Sequence, residues 1–487
     1  MHKKLKILFL ASETAPIAKT GGLADVAGAL PIALHDLGCD VRVVMPYYRQ
    51  IKDKGVDAKL ILQGVGVNIG RLRLVDDIYQ AYLKDKVALY LVHKEEFFDR
   101  NYLYGTPQNE YFDNAERFVY LTRAALEYCR RARFAPDIIH CNDWHTALAP
   151  VYLKTCYRDI SEFKKTRSVL TIHNLAYQGQ FDAGEFSTTG LPNAVYAIDG
   201  IEFWGKINFL KAGILFSDAI TTVSKQYREE MQTPEFGHGL DGVLRQRNSD
   251  LYGILNGVDY SEWDPAIDPL IAKHYSLADL SGKNECKKDI VSSLHLEQSY
   301  AQRPILAMIN RLTEQKGCDL VSRLIDRLVQ MGVGLVLLGE GEEKYNEMFG
   351  AFRRLYAGKA GIVIGYNHQL AHRIIAGADM LLMPSRYEPC GLTQMYALKY
   401  GAVPIVRDVG GLSDTISEFN PETGEGTGFK FKDYSEHALM ETIEHALKCF
   451  QDVQLWDNIM RNGMKVDFTW DNAAREYMKI YEKVMKF

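Results

Sequence analysis

The chain has no long hydrophobic run, no closely spaced cysteine pair and no excess of one charge. No apolar stretch approaches the roughly 18 residues of a membrane-spanning helix, so a membrane protein is not expected. With 57 basic and 62 acidic side chains in 487 residues, the chain lacks the basic surplus typical of nucleic-acid binding. Its eight cysteines form no C-x-x-C pair, which predicts reduced thiols rather than a disulfide framework.

A secretion signal is also missing at the N-terminus. The apolar run of residues 7–11 stops at Ser12 and Glu13, short of the roughly 7 to 15 residues of a signal core. This run is better interpreted as a first buried strand. We therefore expect a cytoplasmic protein that binds neither membranes nor nucleic acid.

Familiar nucleotide and zinc motifs are missing as well. The glycine loop of residues 19–25 reads KTGGLAD, without the order G-x-x-x-x-G-K-[ST] of a P-loop or G-x-G-x-x-G of a dinucleotide site. His368 and His372 stand four apart on a predicted helix and could bind zinc. No H-E-x-x-H order or cysteine ligand accompanies them, so packing or solvation is favoured. We expect no metal and no cofactor.

Short apolar runs alternate with amphipathic stretches through both halves of the chain. This pattern is typical of parallel sheets covered by helices on both faces. A chain of this length exceeds what one core usually organises, so the fold class expected is α/β with two doubly wound domains. Glycine, aspartate and proline cluster in residues 256–265, where we place the join and a hinge.

Two loops in the two halves follow the same plan of strand, cationic loop and helix. The first carries Lys19, Gly21 and Gly22, and the second carries Arg311 and Lys316. Small residues and fixed cations before a helix N-terminus suit phosphate oxygens. The alternative is solvation of surface cations, which each loop in isolation leaves open.

A third loop, residues 383–394, is the strongest single signal. It runs from an apolar strand through MPSRYEPCGLTQ into a predicted helix starting near Gly391. Glu388 would then lie at the carboxyl end of a strand, where open α/β sheets bind ligands. The amides of Gly391, Leu392 and Thr393 would offer a further phosphate site.

These segments, taken in order along the chain, resemble the glycogen and starch synthase family. The resemblance runs nearly end to end and is carried by the following segments: residues 19–26, Asn142-Asp143-Trp144-His145, Thr171-Ile172-His173-Asn174, residues 256–259, Arg311 with Lys316, and residues 384–394. It implies a GT-B fold, in which two Rossmann-like domains face a central cleft. It also implies a retaining transfer of glucose from a nucleotide sugar, generally ADP-glucose in bacteria and plants, to an α-1,4-glucan.

The resemblance implies domain bounds and residue roles. Residues 1–255 would form the acceptor-side domain with the donor loop, residues 256–468 the nucleotide-sugar domain, and residues 469–487 a helix packing back on the first. Catalytic roles would fall to Glu388, Arg311, Lys316 and His145. Donor-binding roles would fall to Lys19, Gly21, Gly22, Asp25, Asn256, Tyr366, Cys390, Gly391, Leu392 and Thr393.

Within that list, Arg311 and Lys316 would neutralise the diphosphate and Tyr366 would lie on the base. An inert thiol is the alternative for Cys390.

The histidine region departs from many bacterial relatives, which have H-x-H-D-W. This chain reads His140-Cys141-Asn142-Asp143-Trp144-His145, so Asn142 would replace the sugar-contacting histidine and His145 would take over part of its role. Capping of the next helix by Asn142 or Asp143 is the structural alternative.

Only Glu388 stands out as a catalytic acid, whereas retaining glycosidases use two carboxylates. Retention is therefore attributed to same-face attack, with the leaving phosphate accepting the proton of the acceptor hydroxyl. Three alternatives stay open: a UDP-glucose-dependent relative, a pyridoxal-phosphate-dependent glucan phosphorylase, and a catalytically silent glucan-binding protein.

Overall fold

The computed structural model describes residues 4–106 and 109–486. Its contacts divide the chain into two compact units. Unit 1 contains the described residues up to Gly257 together with those from Trp470 onward, and unit 2 contains Val258–Thr469.

Unit 1 is built on a nine-stranded sheet and a small three-stranded sheet. Its strands are β1 (Lys6–Leu10), β2 (Asp40–Pro46), β3 (Lys59–Ile69), β4 (Leu72–Leu83), β5 (Val87–Val92), β6 (Ile138–Asn142), β7 (Arg167–Ile172), β8 (Gln180–Asp182), β9 (Glu202–Phe203), β10 (Lys206–Asn208), β11 (Ala219–Thr222) and β12 (Leu251–Gly253).

The large sheet has the order β12-β11-β7-β6-β1-β2-β5-β4-β3. Strands β12 through β5 in that order are parallel, and the hairpin β3–β4 adds two antiparallel strands at one edge. The central strands are largely buried because helices cover both faces of the sheet, as in β6, where every residue is buried.

The helices of unit 1 are α1 (Gly22–Asp36), α2 (Arg49–Asp53), α3 (Glu95–Phe98), α4 (Asn114–Arg131), α5 (Asp143–Thr146), α6 (Leu148–Lys154), α7 (Phe186–Thr189), α8 (Phe209–Phe216), α9 (Lys225–Glu230) and α10 (Asp241–Gln246).

Unit 2 is a six-stranded parallel sheet with helices on both sides. Its elements are β13 (Ile305–Ile309), β14 (Gly334–Gly339), β15 (Ala360–Ile364), β16 (Met380–Met383), β17 (Val403–Arg407) and β18 (Phe429–Phe431), with α11 (Ser281–Ser293), α12 (Cys318–Gln330), α13 (Glu343–Leu355), α14 (His368–Gly377), α15 (Thr393–Lys399), α16 (Gly410–Thr415), α17 (Glu436–Phe450) and α18 (Val453–Met464). The order β15-β14-β13-β16-β17-β18 is that of a dinucleotide-binding fold, with one core on each face of the sheet.

The last helix, α19 (Trp470–Met485), belongs to unit 1. Its apolar residues Tyr477, Ile480, Tyr481 and Val484 are spaced as one helix face, and all are buried. It lies against α1 and β7, and it covers one face of the large sheet.

The parallel strands expected from apolar runs are all present. Apolar runs predicted neither the hairpin β3–β4 nor the short strands β8 to β10. Strands such as β3 and β8 are antiparallel and largely exposed, so their residues form no continuous apolar run. Within the described residues, no helix combines the length and apolar character needed to cross a membrane.

Candidate active site

In each unit, most of the predicted site residues lie where the strand order reverses, whereas Asn256 and Tyr366 follow the edge strands β12 and β15. In unit 1 the chain continues from β1 to β2 on one side and from its neighbour β6 to β7 on the other. In unit 2 it continues from β13 to β14 on one side and from its neighbour β16 to β17 on the other. The carboxyl ends of such a strand pair form the crevice in which open α/β sheets bind ligands. All three cationic or acidic loops singled out from the sequence follow one of these four strands.

The loop after β1 is organised around Glu13, a residue that the sequence reasoning missed. Glu13 is buried and accepts hydrogen bonds from the Thr20 backbone N–H at 2.5 Å and the Thr20 hydroxyl at 2.8 Å. Burial raises the pKa of its carboxyl from 4.5 to about 7, although the hydrogen bonds from Thr20 and Gly21 oppose the rise. Glu13 therefore holds the glycine loop in place from beneath.

Lys19, on the outer side of the same loop, is exposed and forms an ion pair with Asp25 at 2.6 Å. Asp25 lies in the first turn of α1, whose N-cap is Gly21. The pair keeps the ammonium group beside the start of the helix, with part of its surface open to solvent. Lys19, Gly21, Gly22 and Asp25 thus form one surface in unit 1.

Asn142, at the end of β6, is fully buried, and its side chain is used within the protein. Its amide nitrogen donates to the Leu10 carbonyl at 2.8 Å, which turns its oxygen toward His173 Nε2 at 2.9 Å. The His173 ring therefore donates from Nε2. The proposed helix cap is not observed, since Asn142 makes no side-chain cap bond to α5. The structure thus gives Asn142 the task of orienting His173.

Asp143 and His173 form a second buried group that the predicted site did not include. Asp143 Oδ1 accepts the His173 backbone N–H at 2.7 Å, and burial raises the pKa of Asp143 to about 7. Burial lowers the pKa of His173 to about 3, so its ring is neutral near pH 7. His173 directly follows β7, in the segment Thr171-Ile172-His173-Asn174 that contributes to the family resemblance. Its position at the end of a strand was the signal in the sequence that could have identified it as a site residue.

His145 is buried among aromatic rings. It stacks on Trp144 at 4.0 Å between ring centroids and lies 4.6 Å from the rings of Tyr104 and Phe118. Burial lowers the pKa of His145 well below its usual value, so the ring is neutral. Its Nδ1 has no hydrogen-bond partner in the described structure, which leaves a polar atom for a ligand hydroxyl.

His140 has a structural task instead. Its Nδ1 pairs with the Tyr481 hydroxyl and its Nε2 with the Thr171 hydroxyl, both at 2.6 Å. It thereby connects strands β6 and β7 to α19, and it has no polar atom left for a substrate.

In unit 2, Lys316 and Glu388 meet although 72 residues separate them in sequence. Lys316 Nζ donates to Glu388 Oε2 in a short ion pair, and the Ser385 hydroxyl donates to the same oxygen at 3.0 Å. Glu388 is buried and the side chain of Lys316 retains 15% exposure. The sequence predicted both residues but not their contact.

The two loops are held together by backbone contacts. The Arg386 N–H donates to the Gln315 carbonyl at 2.8 Å. Gly317 has a positive φ of 76°, and a Cβ there would lie 2.3 Å from the Pro384 oxygen. Only glycine allows this approach, so the loop after β13 is fixed against the loop after β16.

The other predicted residues of unit 2 lie in the same two loops or in the loop before α14. Arg311 is exposed two residues after β13, and Tyr366 is 79% exposed just before α14. Cys390 is buried, and Gln394 Nε2 donates to the carbonyls of Cys390 and Gly391 at 3.0 and 2.9 Å. The helix begins at Thr393 rather than near Gly391, because Gly391 has a positive φ of 71°.

Asn256 lies in unit 1, three residues after β12. It is buried, and its Oδ1 has no hydrogen-bond partner within the described residues. A buried amide oxygen without a partner is costly unless a ligand or water satisfies it.

Comparisons with known proteins agree with this arrangement. Residues 6–246 match the family model described as starch synthase catalytic domain, and residues 296–463 match that described as glycosyl transferases group 1. A protein named glycogen synthase 2 from Geobacter sulfurreducens is 45% identical over 98% of both chains. The chain belongs to the glycogen and starch synthase family.

Other members of this family and one more distant fold extend the comparison. Glycogen synthase from Thermotoga maritima is 43% identical over 99% of both chains. The catalytic domain of starch synthase IV from Arabidopsis thaliana, solved with ADP and acarbose, matches all of the chain with a TM-score of 0.92 and 31% identity. Sucrose-phosphate synthase from Thermosynechococcus elongatus, at 16% identity and a TM-score of 0.61, shows the fold alone. The expected GT-B fold and family are confirmed.

Proposed function

We propose that this member of the glycogen and starch synthase family transfers glucose, with retention, from ADP-glucose to the non-reducing 4-hydroxyl of an α-1,4-glucan. Family membership supports a glucosyltransferase, and the ADP and acarbose bound by the plant starch synthase support a nucleotide-sugar donor and a glucan acceptor. The observation that supports the proposal is the Lys316–Glu388–Ser385 cluster, in which an ammonium group and a carboxylate meet where the strand order reverses. Open α/β sheets bind ligands at such positions.

The leaving diphosphate is the group that most needs stabilisation. An ammonium group has three N–H donors, and the contact of Lys316 with Glu388 leaves donors for a phosphate oxygen. The exposed Arg311 adds a planar fork suited to phosphate. Because water exclusion strengthens such interactions, the donor is bound most tightly when solvent is expelled.

Glu388 has a positioning role in this proposal. Two donors converge on one of its oxygens, so its orientation is fixed and its other oxygen remains an acceptor for sugar hydroxyls. We assign His145 to a further sugar hydroxyl, because it is neutral and its Nδ1 lacks a partner among the described residues. Tyr366 is assigned to the nucleotide base, since its exposed ring can stack on a flat surface.

The proposed reaction breaks the bond between the anomeric carbon and the diphosphate oxygen and forms one to the acceptor 4-oxygen on the same face. The acceptor proton moves to the leaving phosphate oxygen, so the chain's own residues need not accept it. Arg311 and Lys316 stabilise the negative charge that develops on the diphosphate.

The test is release of nucleoside diphosphate from ADP-glucose and from UDP-glucose, each with a maltooligosaccharide acceptor. We expect ADP-glucose to be the preferred donor, with chain lengthening by α-1,4 linkages. A preference for UDP-glucose would show that UDP-glucose, and not ADP-glucose, is the donor. Glucan binding without nucleotide release from either donor would indicate a catalytically silent glucan-binding protein.

Glu388→Gln supplies the site-specific control. It keeps the size of the side chain but removes the charge that pairs with Lys316, and we expect it to abolish most turnover with both donors. Turnover equal to that of the unaltered protein would remove Glu388 from the proposed mechanism.

A further inference from the structure

Three side chains in unit 2 that the proposed transferase function does not use lie close together. Glu262, His368 and His372 place one ligand atom each within 4.8 Å of one another. His368 and His372 share one face at the start of α14, as the spacing of four predicted. Glu262 comes from a distant segment, and its Oε1 lies 3.3 Å from His368 Nε2.

His372 carries a nitrogen whose hydrogen-bonding capacity is not used. The residue is 1% exposed, and its Nε2 has no hydrogen-bond partner among the described residues. Its other nitrogen, Nδ1, lies 2.8 Å from Asp268 Oδ2. Since the carboxylate can only accept, Nδ1 carries a proton, and in the neutral ring Nε2 then presents a lone pair.

The ring of His372 is also fixed in orientation. Trp263 stacks on it at 3.7 Å between centroids with an interplanar angle of 14°. Asp268 is itself held by the Tyr400 hydroxyl at 2.6 Å and by the Leu270 N–H at 2.8 Å. A histidine oriented through its outer nitrogen by a hydrogen-bonded carboxylate is the usual arrangement behind a metal-binding imidazole.

We propose that Glu262, His368 and His372 form a binding site for a first-row divalent metal ion, with Zn²⁺ as the representative ion. Two imidazoles and a carboxylate form a three-ligand set typical of zinc, with water in the fourth position. Zinc bonds of about 2.0 to 2.1 Å in a tetrahedron place ligand atoms about 3.3 Å apart, and Glu262 and His368 already have this spacing.

Two of the three ligands are accessible from solvent. The side chains of His368 and Glu262 are 45% and 50% exposed, so they can rotate toward the buried Nε2 of His372 by the small amount that closure requires. The sequence favoured packing for the two histidines because it did not show that Glu262 joins them. A bound ion would fix the segment of Glu262 and Trp263 to the start of α14.

The test is a Zn²⁺ titration of the full-length protein after treatment with a chelator, in competition with a chromogenic zinc indicator. We expect one tight equivalent, and we expect Glu262→Gln and His368→Gln each to weaken its affinity at least 10-fold. Both substitutions are at half-exposed positions, so they preserve the fold even if His372→Gln does not. Absence of a tight equivalent, or full affinity in both variants, would overturn the proposal.

His437 provides a matched control. Its Nε2 lies 3.3 Å from Glu441 Oε1 in an exposed pair, but this pair is not part of a three-ligand group within the described residues. We expect His437→Gln to leave zinc affinity unchanged. Loss of the tight equivalent in this variant would place the ion elsewhere and overturn the assignment.

Cobalt substitution separates this site from the cysteines. We expect the Co²⁺ form to show ligand-field bands without thiolate-to-metal charge transfer, since the proposed ligands are nitrogen and oxygen. A strong thiolate band would assign the ion to cysteine and contradict the proposal.

Discussion

Lys316 is the residue on which both the geometry and the proposed chemistry of unit 2 depend. It holds the buried Glu388 carboxylate and is assigned to the leaving diphosphate. We predict that Lys316→Ala lowers kcat about 100-fold or more, because one preorganised donor to a developing charge contributes about 2.7 to 4 kcal/mol.

Steady-state kinetics with ADP-glucose and a maltooligosaccharide would measure the loss caused by Lys316→Ala. Lys288, an exposed lysine paired with Glu285 at 2.8 Å, gives the control Lys288→Ala, which should keep normal turnover. Near-normal kcat in a folded Lys316→Ala protein would remove this lysine from the mechanism.

Glu13 makes the free energy of unfolding depend on pH. Burial raises its pKa from 4.5 to about 7, so the folded state binds a proton more tightly than the unfolded state. The resulting stabilisation is present below pH 4.5 and is lost as pH rises through 7. Between pH 6 and pH 8.5 this loss amounts to about 1.4 kcal/mol.

We therefore predict that Glu13→Gln becomes more stable relative to the unaltered protein as pH rises over that range. Glutamine keeps an oxygen for the Thr20 donors and cannot ionise. Denaturant unfolding of both proteins at pH 6 and pH 8.5 measures the effect, because the titration of groups whose pKa does not depend on Glu13, such as His140 and His173, cancels between the two. A stability difference independent of pH would contradict the raised pKa.

At the scale of elements, α19 is held to the sheet of unit 1 by a polar contact beneath its apolar face. The Tyr481 hydroxyl pairs with His140 Nδ1 at 2.6 Å, and both residues are fully buried. Tyr481→Phe leaves that nitrogen without a partner, and we predict a loss of about 1 to 3 kcal/mol in the free energy of unfolding.

The same helix supplies the comparison for Tyr481→Phe. Lys483 donates to the Tyr252 hydroxyl at the exposed side of α19, and Lys483→Ala should cost less than about 0.5 kcal/mol. Equal losses in the two variants, measured by denaturant titration, would show that the buried contact contributes no more to the free energy of unfolding than the exposed one.

The elements also show what periodicity can predict. Strands such as β13 and β16 can be recognised in the sequence because each is a continuous apolar run buried on both faces. The hairpin β3–β4 was not predicted, because apolar residues such as Leu72 and Val75 lie on its exposed side and break the usual alternation of buried apolar and exposed polar residues. Its stability comes from cross-strand pairing, which depends on a partner strand rather than on local pattern.

At the scale of the whole molecule, the chain passes between its two units twice, at residues 257–258 and 469–470. Within unit 2 the first and last residues run side by side, with the Val258 N–H donating to the Phe468 carbonyl at 2.6 Å. Within unit 1, a Cβ on Gly257 would lie 2.7 Å from the backbone N and Cα of Trp470. Glycine is therefore required at position 257, where the chain lies directly against the backbone of Trp470.

We predict that Gly257→Ala destabilises the protein by about 1 to 3 kcal/mol, since backbone atoms cannot move aside as a flexible side chain could. Gly184→Ala is the matched control in unit 1, because a Cβ there has nothing within 4 Å. Thermal unfolding of the two variants would decide. If Gly257→Ala is as stable as the control, position 257 tolerates a side chain and the prediction is wrong.

The sequence by itself determined the α/β class, the family and the loops in which the candidate residues lie, because apolar runs and loop motifs are local. Only the tertiary structure decided which residues meet: Lys316 with Glu388, Asn142 with His173, and Glu262 with His368. Each pair joins segments far apart in the chain, and burial then shifts the pKa of groups such as Glu13 and His173. Contacts of this kind depend on strand order and on desolvation, neither of which a local pattern contains.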